Sequence, residues 1–402
     1  MKKNILVYHD SGLFYGSTEK LLQLYAKYLA KDFNVYFAYG TKAGEHRKSY
    51  LEGTGVTLVP FTFSYRKATE PFTIVDMQPS ILDIIKRYSI HCIYTSVFSN
   101  FQFPMNVVPA SIPFVLISPF GHFATNGNVV KTYVSGQSNL ERLQKRGIKN
   151  VELLYNPLED PAPEFLDKPA VGEVIVFGRV GRGDDSIFDP IAVQAFKKLE
   201  TEYGEKVKYV VINAPPAWRE LVASLGIRNM EYREKVSDEA LQDFYREIDI
   251  FAHARIDGET VGMAIAEAML AGNPIITHRS RFHNDHFTIL DRDFAKWCDP
   301  DDSEQYFENM KWFVEHTGEI RAMGELARKK SWNVFSIDAQ LPGIISTFSQ
   351  ATLHYRHGSV WGRVQGYVSL YVHIFLALPY VCAKKCWLFW QSVKHSYVRA
   401  KS

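Results

Sequence analysis

The chain of 402 residues carries 46 lysines and arginines against 44 acidic residues, with 46% apolar side chains. That is enough apolar material for a substantial core, which excludes a disordered or fibrous chain and makes two domains the default. A formal net charge of +2 gives no field of the kind that marks nucleic-acid binders, so no nucleic-acid partner is expected. The near balance hides an asymmetry, because Asp338 is the last acidic residue and seven basic side chains follow it. A basic tail behind a net negative body points to an anionic neighbour, of which a membrane surface is the commonest. The cysteines at 92, 298, 382 and 386 form no Cys-x-x-Cys pair and no cluster at zinc spacing, so a reducing compartment is expected rather than a disulfide framework. The start, MKKNILVYHDSG, turns polar after about five apolar residues, too short for a secretion signal, and reads as the buried first strand of a cytosolic protein.

From residue 4 to about 135, short β-branched runs (NILVY, FNVYFAYG, VTLVPF, CIYTSV, PFVLISP) alternate with amphipathic stretches (TEKLLQLYAKYLA, SILDIIKRYSI). Strands alternating with helices predict a parallel sheet covered on both faces. After the first strand, HDSGLFYGSTEK places Gly12 and Gly16 before a helix capped by Ser17 or Thr18. Amides at Gly16 suit a phosphate or an acceptor, and equally a plain strand-to-helix turn. After the fifth strand, ISPFGHFATNG puts His122 on a loop, where a histidine has no special meaning by itself. NPLEDPAPEFLDKPAVG, with four prolines, four acidic residues and no periodicity, reads as a linker.

The alternation resumes with EVIVFGRV, AVQAFKKLETEYG, VKYVVINAP, AWRELVASLG, DEALQDFYREIDI, IFAHAR, GMAIAEAMLAG and PIITH. The expected fold class is therefore α/β, two Rossmann-like domains facing across a cleft, followed by an apolar and basic helical tail. The expected divisions are 1–156, a linker at 157–172, 173–335, a closing helix at 336–352 that returns to the first domain, and a tail at 353–402. Ligands in open parallel sheets bind beyond the carboxyl ends of the strands, so the loops there are where chemistry is sought.

In IFAHARIDGETVGMAIAEAMLAGNPIIT, Glu259 and Glu267 stand eight apart around a glycine-containing turn into a helix. At helical rise that separation is roughly 12 Å, comparable to the reach from a nucleotide ribose to a sugar beyond its diphosphate. Val261, Gly262 and Met263 then present backbone N–H groups at a helix N-terminus, a natural seat for phosphate. The same glutamates also fit an ordinary amphipathic buried helix. At the end of EVIVF, the loop GRVGRGDDSIFDP offers Gly178 for a turn close to a ligand. Arg179 and Arg182 follow, able to neutralise a diphosphate or simply to face solvent. The DRD at 291–293 has the spelling of a metal site but reads as a solvated loop, and no metal or other cofactor is expected.

The strand ending in His253 and Ala254, the turn at Asp257 and Gly258, the helix AIAEAMLAG and the strand PIIT together resemble the signature of family 4 of the retaining glycosyltransferases, whose fold is GT-B. The resemblance covers about residues 4 to 350. It implies Glu259 at the transferred sugar, Glu267 at the ribose, Arg179 at the diphosphate and His122 near the reacting sugar. The lysine that the family carries about five residues after this arginine is absent, and Arg182 stands in for it. Of the paired glycines of the family, only Gly16 is in place. The implied reaction moves a sugar from a nucleotide diphosphate to a hydroxyl by front-face attack, with retained configuration and the leaving phosphate accepting the proton. The alternative is a catalytically silent scaffold that tethers a partner at a membrane, and a third reading is a same-fold epimerase or phosphorylase.

In the tail, residues 360–383 are dense in apolar and aromatic side chains, with Gln365, Ser369 and His373 forming a narrow polar stripe, Pro379 as a break, and lysines beside tryptophans. This fits a helix lying in the membrane interface, a spanning helix, or one packed on the protein's own surface. Cys382 and Cys386 are lipidation sites or apolar fillers. The expected location is the cytoplasmic side of a membrane, peripheral or anchored through 353–402, with a lipid-linked or saccharide acceptor close by.

Overall fold

The computed structural model describes residues 2–9, 13, 17–41, 45, 47–66, 74–96, 103–105, 107–119, 121–124, 127–159, 167–234 and 236–353. The chain forms two compact units. One comprises Met1–Val134, Asn139–Leu154 and Leu341–Ser402, and the other Ser135–Ser138 and Tyr155–Gln340.

The first unit holds an eight-stranded sheet of β1 (Asn4–His9), β2 (Asn34–Gly40), β3 (Thr57–Arg66), β4 (Ile74–Gln78), β5 (Cys92–Ser96), β6 (Phe114–Ser118), β7 (Val129–Val134) and β8 (Val151–Leu153), ordered β4-β3-β2-β1-β5-β6-β7-β8. Helices α1 (Ser17–Leu29), α2 (Lys48–Leu51), α3 (Ile81–Arg87) and α4 (Gln137–Lys145) connect the strands. Every residue of β5 and β6 is buried, as continuous apolar strands must be when helices cover both faces. The sheet departs from the all-parallel expectation at one edge, where β4 runs antiparallel to β3 with Phe63 opposite Met77. Only seven residues separate these two strands, too few for the crossover that a parallel pairing needs.

The second unit holds a six-stranded parallel sheet, ordered β11-β10-β9-β12-β14-β16. Its strands are β9 (Ile175–Val180), β10 (Val207–Ile212), β11 (Met230–Arg233), β12 (Ile250–Ala252), β14 (Ile275–His278) and β16 (Ala295–Cys298). Beside it, the short strands β13 (Gly258–Glu259) and β15 (His283–Asn284) pair in parallel. The helices are α5 (Ile191–Tyr203), α6 (Pro216–Ser224), α7 (Asp238–Glu247), α8 (Met263–Leu270), α9 (Ser303–Glu315), α10 (Ile320–Phe335) and α11 (Ile337–Leu353). Side-chain caps fix two of their starts: Ser237 accepts from Ala240 N at 3.2 Å, and Asp302 from Gln305 N at 2.9 Å. Phe177, Phe196, Tyr209 and Trp218 meet edge to face through the core beneath β9 and β10.

In each main sheet the strand order reverses once, between β1 and β5 in the first unit and between β9 and β12 in the second. Crevices open at the carboxyl ends of strands at such reversals. After β1, Gly12 and Gly16 lie outside the described residues, as do residues 97–102 directly after β5. Helix α11 starts in the second unit, and the unit boundary falls within it, between Gln340 and Leu341. Its far part packs in the first unit, where Phe348 meets Phe33 and Tyr94 at 6.1 and 5.4 Å between ring centroids, and Thr347 shares a 2.6 Å hydrogen bond with the Tyr133 hydroxyl. The apolar tail expected at 353–402 lies outside the described residues from 354 onward. Among the described residues, no helix is long and apolar enough to cross a membrane.

Candidate active site

Gly178 lies within β9, paired with Val210 on one side and Phe251 on the other. A Cβ there would stand 2.5 Å from Ile248 Cγ2 and 2.9 Å from Phe244 Cζ. This corrects the expectation of a turn beside a ligand, since what the missing side chain permits is the close approach of the end of α7 to the strand. The chain leaves the sheet after Val180, in a loop pinned by Asn213, whose Nδ2 donates to Gly181 O at 3.1 Å.

Arg179, next along β9, is only 2% exposed. Its guanidinium lies 4.8 Å from the Trp218 ring centroid, and Nη2 donates to Ala254 O at 3.2 Å. Nε and Nη1 have no hydrogen-bond partner. Burial pulls its pKa down, with the nearby Glu259 among the groups that oppose the shift. An arginine keeps its charge in such a place, so a buried guanidinium with two unpartnered nitrogens lies at the reversal point of the sheet. Arg182, by contrast, is exposed on the loop. Its charge helps hold the Asp184 carboxyl below its usual range, behind the larger effect of hydrogen bonds from Ser186.

Glu259 is built into the loop after β12. The carboxylate Oε1 lies 3.3 Å from His253 Nε2 and accepts from Arg255 Nη1 at 3.1 Å. A carboxylate only accepts, which assigns the proton to Nε2 and leaves Nδ1 to accept from the Thr277 hydroxyl at 3.2 Å. Arg255 in turn forks onto both carboxylate oxygens of Asp257. Burial by itself raises the Glu259 carboxyl, but the hydrogen bond from His253 and the charge of Arg255 bring it below the usual range. Burial also lowers His253, and it takes His286 down to about 3, so both rings stay neutral in ordinary buffers. The result is an ionised carboxylate with fixed orientation beside a buried guanidinium.

Glu259 and Glu267 do not share a helix. Glu259 is on β13, and α8 begins only at Met263, because Gly262 has φ +76°, a left-handed conformation that glycine tolerates and that starts the helix without a side-chain cap. The roughly 12 Å of helical rise is therefore not the geometry of this pair. With Ala266 N bonded to Gly262 O, the amides from Gly262 to Ile265 have no partner within the helix. Val261 is buried and Met263 half-buried. α8 is held from behind by small residues of α10: Ser331 Oγ donates to Ala266 O at 2.8 Å, and a Cβ on Gly324 would lie 2.1 Å from Gly272 O. Glu267, one turn along, accepts from the Tyr245 hydroxyl at 2.9 Å.

In the second unit Arg179 and Glu259 are near enough for their charges to act on each other, while the Val261–Met263 turn and Glu267 follow Glu259 along the chain and Arg182 is on the loop after β9. His122 is exposed on the loop after β6 in the first unit, and Gly16 lies outside the described residues. Asp291 and Asp293 are exposed in a turn where Asp291 accepts from Asp293 N at 3.2 Å. Among the described residues no group of three His, Cys, Asp or Glu side chains is placed to hold a metal ion. Sequence reasoning did not single out Arg255, Tyr245, His286 or Trp218 as site residues. The alternation Arg255, Asp257, Glu259 was a usable signal for the first; the others arrive from distant elements.

Residues 190–330 match the family described as glycosyl transferases group 1. No curated protein matches the sequence. Among solved structures, HepE of Anabaena, crystallised in complex with UDP and glucose, is 16% identical with a TM-score of 0.64, over 87% of this chain and 100% of that one. A glycosyltransferase from Rickettsia africae is 15% identical with a TM-score of 0.67, over 87% and 98%. WaaG, a glycosyltransferase involved in lipopolysaccharide biosynthesis, is 13% identical with a TM-score of 0.60, over 88% and 100%. The fold is that of the GT-B glycosyltransferases, as the family resemblance implied, and the family match lies within the second unit.

Proposed function

We propose that this group 1 glycosyltransferase of GT-B fold is a retaining enzyme that moves a sugar from a nucleotide diphosphate sugar to a hydroxyl of a lipid-linked or saccharide acceptor at the cytoplasmic face of a membrane. The observation that carries the reading is the pairing of Arg179, buried with two unpartnered nitrogens, with the ionised and oriented Glu259 at the strand-order reversal of the second sheet. Arg179, Arg182 and the amides of the Val261–Met263 turn stabilise the departing diphosphate, charge that grows in the transition state and meets donors already in place. Glu259 holds hydroxyls of the transferred sugar, Glu267 holds the ribose, and His122 takes the role at the reacting sugar that the family resemblance gives it. In this reading the arginines and the helix N-terminus offset the diphosphate charge, and the reaction runs without a divalent ion.

HepE, of the same fold, was crystallised with UDP and glucose, which makes a UDP-sugar the first donor to test. WaaG's part in lipopolysaccharide biosynthesis and the apolar, basic composition of residues 360–402 support an acceptor at a membrane. The test is nucleotide release from a panel of nucleotide sugars, with and without EDTA. Wild-type turnover should be unchanged by the chelator, and Glu259→Ala should reduce it by about 10²-fold or more per folded molecule. If no donor turns over and no nucleotide binds, the chain is a scaffold and the enzyme reading falls.

A further inference from the structure

Tyr245, on α7, is buried with its ring between Phe244 and Phe251, centroids 5.4 and 5.9 Å away. Its hydroxyl has two acceptors in reach on α8, Glu267 Oε2 at 2.9 Å and Ala264 O at 3.4 Å. A phenol has one proton to donate, and the shorter, charge-assisted bond to the carboxylate takes it. Burial, with the charge of Glu267 behind it, raises the Tyr245 pKa far above its ordinary value, so the hydroxyl remains a donor.

The backbone under Tyr245 is fixed as well. Its carbonyl accepts from Lys168 Nζ at 2.7 Å and from Asn273 Nδ2 at 2.9 Å. Lys168 also donates to Ile248 O and to Asn273 Oδ1, filling all three of its N–H donors. Asn273 Nδ2 reaches Ala268 O on α8 at 3.1 Å. A residue of the segment read from sequence as an unstructured linker thus ties the end of α7 to the end of α8. Across the same pair of helices, the phenol reaches the carboxylate.

We infer that Tyr245 is the positioning residue for Glu267, and that the bond between them sets how strongly the site prefers a ribose to a sugar lacking the 2′ and 3′ hydroxyls. This rests on the proposed reading in which Glu267 holds the ribose. A glutamate side chain free to rotate divides its time among conformers, and only one directs its oxygens at a vicinal diol. Removing the phenol oxygen leaves the ring packing intact and takes away the hydrogen bond that directs Glu267 Oε2.

The experiment is calorimetric titration of the full chain with UDP and with 2′,3′-dideoxy-UDP, for wild type, Tyr245→Phe, Glu267→Gln and the double variant. Wild type should favour UDP by about tenfold or more, the strength of a hydrogen bond to a charged group. Tyr245→Phe should shrink that preference to about threefold or less. The double variant should resemble Glu267→Gln, because both changes act through one carboxylate. An unfolded fraction lowers the competent protein equally for both ligands, so their affinity ratio is immune to partial misfolding. A Tyr245→Phe protein with the wild-type preference overturns the inference and leaves the proposed function standing. A wild type that binds neither nucleotide and turns over no donor overturns both.

Discussion

The two units share a plan, a largely parallel sheet whose strand order reverses once, yet they bury different chemistry. In the first, the titratable groups sealed in the interior include the phenols of Tyr25, Tyr94 and Tyr133, all pushed to higher pKa by burial. A phenol stays neutral there, and the Tyr133–Thr347 bond anchors the end of α11. In the second unit, the reversal point holds a buried guanidinium with two unpartnered nitrogens, an ionised carboxylate and neutral histidines. Charge taken from water and left partly unpaired destabilises a fold, and such groups persist where they act on a ligand. On the proposed reading, the contrast separates groups that hold the protein together from groups that meet a ligand.

The sharpest way to break this comparison is Arg179→Met. If the guanidinium is there for a ligand, turnover should fall by about 10²-fold or more while the unfolding temperature holds or rises, because the apolar chain removes an uncompensated buried charge. A clear loss of stability with turnover retained would make Arg179 a structural residue. Next in size is Gly178→Val: the added atoms collide with Ile248 and Phe244, and overpacking of this kind should lower stability by about 1–3 kcal/mol in denaturant unfolding. Full stability combined with lost nucleotide binding would return Gly178 to the ligand.

The third prediction concerns pH. His286, held near 3 in the folded protein, and His253, also lowered, titrate near 6.5 in the unfolded chain. Below that value the unfolded chain binds more protons, so stability should fall as pH drops from about 6.5 toward 3, with Glu259 adding to the loss below about 4.5. The unfolding temperature of His286→Gln should depend less steeply on pH over that interval; an equal slope removes His286 as a source. Smallest is Tyr133→Phe in the first unit, which should lower stability by about 1 kcal/mol through the lost bond to Thr347 and leave turnover per folded molecule unchanged.

Much of the site was legible in the sequence because its parts are local. Glu259, Gly262 and Glu267 lie within one strand–turn–helix segment, and the left-handed φ at Gly262 is what a glycine just before a helical run signals. Arg179 was legible as a cation at a strand end, but its inward direction was not. Whether an arginine faces solvent or lies over Trp218 is fixed by a helix some forty residues further along the chain. Gly178 was misread for the same reason, since the side chains that crowd it belong to α7 and its C-terminal end.

The alternation of strands and helices by itself determined two Rossmann-like units and the loops that carry chemistry, because hydrophobic period and chain punctuation are local properties that a parallel sheet obeys. Tertiary structure alone decided which polar groups are buried, which proton sits on which histidine nitrogen, and that Lys168 and Tyr245 belong behind the glutamate of α8. Those outcomes depend on desolvation and on hydrogen-bond partners many residues apart, and the one-dimensional chain carries no record of that distance.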